Sequence, residues 1–172
     1  MDRRLKNRLL DVGMAIVAVM AGALVVYLGD MALGVNLELY YGVATFSPLW
    51  VLDLFLVPFI AGILVSYIYG LGGKILAHLS PLVVRVASFY GLSNGGVVPP
   101  GTDVLPMSFW LLVVIISVEF AAFGGVVGEI LVKKTYGRTA KELLHKKYQL
   151  AEEDELPSVA DDAVHKPGTV EK

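Results

Sequence analysis

The chain has 172 residues, 56% of them hydrophobic and only 17% charged, with a mean hydropathy of +0.68. A soluble domain carries about 25% charged residues, so this composition excludes an ordinary soluble fold. The absence of cysteine excludes disulfide frameworks, thiolate metal sites and cysteine nucleophiles, and the net charge of −2 matters less than where its members lie.

Residues 1–8 form a basic N-terminus holding Arg3, Arg4, Lys6 and Arg8. Residues 9–29 are an apolar run broken only by Asp11, close to the ~20 residues that cross hydrocarbon. The apolar core of a signal peptide is shorter, about 7–15 residues, so the run is expected to be an uncleaved anchor. The connection 30–47, DMALGVNLELYYGVATFS, is semi-apolar and aromatic, suited to lie along the interface or to pack on the bundle or a partner. A second span covers 48–70 and contains Asp53 and Pro58. Residues 75–92 are ambiguous by hydropathy. Their ~27 Å as a helix just suffices to cross, yet they include His78, Pro81 and Arg85, so a re-entrant or surface segment competes with a span. The connection 93–106 is rich in Gly and Pro and reads as an irregular loop. A last span covers 107–132, with Glu119 near its middle. Residues 133–156 suit a cytoplasmic helix, basic first and acidic later, and the composition of 157–172 predicts a disordered tail.

Charge placement resolves the ambiguous segment. Four basic residues precede the first span, six fall in 133–147 just after the last (Lys133, Lys134, Arg138, Lys141, Lys146, Lys147), and the two longer connections have none. Basic flanks stay in the cytoplasm, so both termini are expected inside. An even number of crossings follows, and 75–92 must supply the fourth. The expected fold class is all-α: four transmembrane helices within 9–132, short connections and both ends cytoplasmic. Trp50, Trp110, Tyr27 and Tyr90 near the outer ends, and Tyr67, Tyr69 and Tyr136 near the inner ends, suit interfacial aromatic positions.

Three ionisable residues then fall within the membrane: Asp53, Arg85 and Glu119. Such groups face protein or water and find partners. At ~1.5 Å per residue, Arg85 lies ~10 Å, Asp53 ~8 Å and Glu119 ~18 Å below the outer boundary. Depth favours Asp53 as the partner of Arg85, Glu119 is the alternative on the adjacent antiparallel span, and a cluster of all three is a further option. Its roles range from a structural ion pair, through an ion or proton path, to contact with a partner subunit. Glu129, four residues ahead of Lys133, suits a helix-surface pair. Small residues in register on the last span, Ser117, Ala121, Gly124, Gly125 and Gly128, let a neighbouring helix approach closely; that neighbour is another span or another chain. Ala18 and Gly22 form a weaker version on the first span. Lys133, Lys134, Arg138 and Lys141 are placed to meet lipid headgroups.

No motif names a reaction. His78 is the only histidine in a membrane segment, and the run Gly70 to Lys74 is too short for a phosphate loop. No metal, cofactor or nucleic-acid partner is expected. The reading is a small non-catalytic accessory or scaffolding subunit of a larger membrane complex, multi-pass, in a bacterial inner membrane, partnered by lipid and by other subunits or itself. The alternative is an oligomeric channel or transporter in which the charged cluster lines a path.

Overall fold

The computed structural model describes residues 3–136; the expected cytoplasmic helix beyond Tyr136, Arg138, Lys141 and the tail lie outside the described residues. Helix α1 spans Arg3–Leu33, α2 Pro48–Tyr69, α3 Gly73–Ala77, α4 Leu79–Ser93 and α5 Met107–Tyr136. Four stretches are long and apolar enough to cross a membrane: Arg8–Leu33, Pro48–Tyr69, Gly73–Ser93 and Met107–Thr135. The chain is thus a mostly helical, multi-pass membrane protein. The ambiguous segment is one of the four, though the least apolar, at mean hydropathy 1.4 against 2.3–2.4 for the others.

Local chemistry explains the breaks. Ser47 caps α2, its Oγ accepting from the Trp50 amide at 3.3 Å, and Pro48 opens the helix, where its missing N–H costs nothing. Between α2 and α3 the chain reverses through Gly70 (φ 84°) and Gly72 (φ 95°), left-handed conformations that only glycine adopts freely. Pro81 cannot donate to the Ala77 carbonyl and crowds it, which divides α3 from α4 at His78. The His78 ring bonds the Lys74 and Ile75 carbonyls through Nδ1, at 2.9 and 3.1 Å. Carbonyls only accept, so Nδ1 carries the proton.

At the end of the bundle where α1 and α4 finish, the two connections meet. Strand β1 (Leu39–Tyr40) pairs antiparallel with β2 (Asp103–Val104), Leu39 opposite Val104. Beneath this ribbon lies an aromatic and aliphatic core of Leu37, Trp50, Leu54, Leu105, Trp110 and Val113. Phe89 stacks on Trp110 at 4.4 Å, and Phe46 meets the Trp50 ring edge-on at 5.5 Å. This corrects the interfacial reading of the two tryptophans, which are 4% and 6% exposed. The folded connection supplies an apolar interior that their rings fill. Tyr27, Tyr67 and Tyr90 do stay exposed.

Candidate functional site: a buried arginine among three carboxylates

Arg85 projects from α4 into the ribbon end of the bundle and is fully buried. Its guanidinium makes a two-pronged bond to Asp30, Nη2 to Oδ1 at 2.7 Å and Nη1 to Oδ2 at 2.9 Å. Nη1 also reaches Glu38 Oε1 at 3.3 Å. Asp53 Oδ2 lies 3.8 Å from Nη2, an ion pair without a hydrogen bond. Paired prongs of this kind are the strongest geometry open to an arginine and a carboxylate.

Each acid is held by a different element. Asp30 comes from the last turns of α1, which has no basic residue near its end. A carboxylate there opposes the helix dipole, and Arg85 supplies the missing positive charge. Glu38 is positioned by its backbone: its amide bonds Asn36 Oδ1 at 3.1 Å, and its carbonyl accepts from the Leu105 amide at 2.9 Å. Asp53 sits in α2 with both oxygens buried and without hydrogen bonds. Burial pushes the Glu38 carboxyl above its ordinary range, while the Arg85 charge pulls the other way. Three carboxylates and one guanidinium carry a formal charge of −2 when all are ionised. A cleft of about 400 Å³ beside the cluster is lined by Tyr27, Asp30, Asn36, Glu38 and Ser88 among others. The cluster is therefore polar, acidic and reachable from the ribbon end through Asp30, whose side chain is 16% exposed.

The structure thus brings Asp53 to Arg85, as depth favours, and adds Asp30 and Glu38. It does not bring Glu119. That residue is exposed on α5 and has no ion pair among the described residues. The reason is angular. Ser117 and Ala121 are fully buried, and Glu119, two residues from each, is turned ~200° from both at 3.6 residues per turn. It is left among exposed Leu112, Ile115, Phe123 and Val126. An ionisable residue at mid-bilayer costs about 2.5–3.5 kcal/mol even on the lenient insertion scale.

The small-residue face of α5 packs within the chain. A Cβ on Gly124 would strike the Phe59 carbonyl of α2, and one on Gly62 of α2 would strike that of Ala121. A Cβ on Gly128 would meet the Ile63 carbonyl oxygen at 2.7 Å, and one on Gly125 would meet Lys74 Cα of α3 at 2.8 Å. Ser117 shares this buried face, with its hydroxyl unbonded. On α1, Gly22 likewise abuts Val65 and Ser80. Glu129 serves the same seam differently from expectation. In place of a pair with Lys133, its Oε1 accepts from the amides of Gly72 at 2.9 Å and Lys74 at 3.3 Å, a remote cap on α3 that satisfies amides with no partner in the helix. Lys133 and Lys134 are exposed in the last turns of α5.

Among the described residues no group of acids and imidazoles is arranged to hold a metal ion. Compared with known protein families, curated proteins and solved structures, the chain matches none.

Proposed function

We propose that the protein is a small non-catalytic accessory or scaffolding subunit of a larger membrane complex, with both termini cytoplasmic and the ribbon end outside. The observation that carries the reading is Glu119, a carboxyl at mid-span facing away from its own bundle in an apolar stripe. Inside its own chain the fold surrounds its buried cation, Arg85, with acids; an ionisable residue in a span normally finds a partner, and Glu119 has none among the described residues. The close α2–α5 packing fits a rigid body that others build upon. Orientation rests on the basic residues 3–8 and 133–147 against two longer connections, 30–47 and 93–106, without any, which fits a bacterial inner membrane. In that orientation Lys133 and Lys134, with Arg138 and Lys141 beyond the described residues, meet headgroups.

Extraction in a gentle detergent, followed by native mass measurement, tests the reading. Stoichiometric co-purification with other polypeptides supports it, and a bare monomer or a pure homo-oligomer refutes it. The second reading, an oligomeric channel or transporter, draws on the cleft beside Asp30 and Glu38 with Asp53 behind them. It requires flux in liposomes that Asp53→Asn abolishes.

A further inference from the structure

We infer that the exposed face of α5 centred on Glu119 docks a transmembrane helix of a different polypeptide that carries a lysine or arginine at the depth of Glu119. The inference rests on the accessory-subunit reading and adds the chemistry of the partner.

Two features define the surface. Leu112, Ile115, Glu119, Phe123 and Val126 recur at intervals of three and four, so they lie along one stripe of the helix. All five are exposed. Glu119 stands ~18 Å along the helix from Met107 and ~21 Å from Lys133, too far for so short a side chain to reach either interface. Ionised or protonated, its carboxyl has no hydrogen-bonding group in lipid. A cation on a facing helix satisfies it, and the flanking apolar residues make the surrounding contact.

A second copy of this chain does not fit. Arg85, the cation deepest in its spans, is fully buried and already paired with three acids. Lys74, Lys133 and Lys134 lie at helix ends. Two copies related by a two-fold axis along this stripe would set Glu119 against Glu119. The same reasoning separates the surface from the ordinary lipid-facing side of α4, where exposed Leu82, Val83, Val86 and Tyr90 surround no ionisable residue.

The test uses the full-length chain in its native membranes, with a photo-crosslinking amino acid at Ile115 or Phe123 and the adducts sequenced. The expected result is an adduct to a foreign transmembrane helix with a Lys or Arg within one turn of the crosslinked position. Glu119→Lys should then lower recovery of that complex at least tenfold, and the reciprocal Lys/Arg→Glu change in the partner should restore it. Glu119→Leu, which keeps the chain folded, should lose the complex as well. An adduct to a second copy of this chain overturns the inference. So does a foreign helix without a basic residue, or failure of the reciprocal change, although both leave the accessory-subunit reading standing. Adducts to lipid alone, together with a monomeric mass, overturn both.

Discussion

Arg85 and Glu119 are both ionisable residues in apolar helices, and the protein treats them in opposite ways. Around Arg85 the chain gathers acids from α1, from the connection before α2 and from α2 itself, and seals the group from solvent. Around Glu119 no cation is placed among the described residues, and the residue is turned outward. A buried charge that is satisfied internally specifies the packing of its own chain, whereas one left at the periphery specifies a neighbour. On the proposed reading the two belong to different levels of organisation, fold and assembly, and substitutions should separate them.

The largest effect is expected at Arg85. Arg85→Met leaves three acids crowded without a cation, and removing one member of a buried pair costs about 3–5 kcal/mol. Unfolding of the purified protein in mixed micelles should show a loss of that size; a loss under about 1 kcal/mol would mean that the cluster is solvated and not structural. Next comes the glycine seam. Gly124→Ala must push α5 away from the Phe59 carbonyl, an overpacking worth about 1–3 kcal/mol, whereas Gly13→Ala, where no atom lies within 4 Å, should cost nothing. Glu129→Ala removes the remote cap from α3 and should cost about 0.5–2 kcal/mol, as helix caps do, with faster hydrogen exchange at the Gly72 and Lys74 amides.

Smaller again is a pH effect at Glu38. A carboxyl whose folded-state pKa is raised above its ordinary 4.5 binds its proton more tightly in the fold than in the unfolded chain. Its contribution is fully present below 4.5 and is lost as pH rises through the folded value. Glu38→Gln should flatten that part of the stability–pH curve. The smallest effect on stability is expected at Glu119, where Glu119→Leu should leave the isolated chain as stable as before or slightly more so. A large loss there would return Glu119 to the interior and erase the contrast with Arg85.

Much of this was legible in the residues. The four apolar stretches, the proximity of Asp53 to Arg85 and the small-residue face of α5 follow from length, depth and helical spacing. The outward turn of Glu119 was also legible, since it lies two positions from both Ser117 and Ala121, but a depth comparison ignores rotation about the helix. What could not be read was the ribbon. Two residues on each side, Leu39–Tyr40 and Asp103–Val104, are too few to leave a periodic signal. Yet their pairing folds the first connection back over the helix ends, brings Glu38 to the arginine, and buries Trp50 and Trp110. Acids that count as loop charges in the sequence, Asp30 and Glu38, thereby become interior ligands of a guanidinium. Glu129 was similarly hidden, because the amides that donate to its carboxylate lie 55 and 57 residues away.

The order of the cluster along the polypeptide bears on how the protein is made. Asp30, Glu38 and Asp53 all precede Arg85 in the chain, so they leave the ribosome first. The helix that carries the arginine is the one whose apolar character gives the weakest drive into lipid. By the time it reaches the translocon, the acids that pair with it have already been synthesised in α1, in α2 and in the connection between them. Insertion of this segment should therefore depend on its predecessors, and a truncated chain beginning after Asp53 should deliver it to the bilayer poorly.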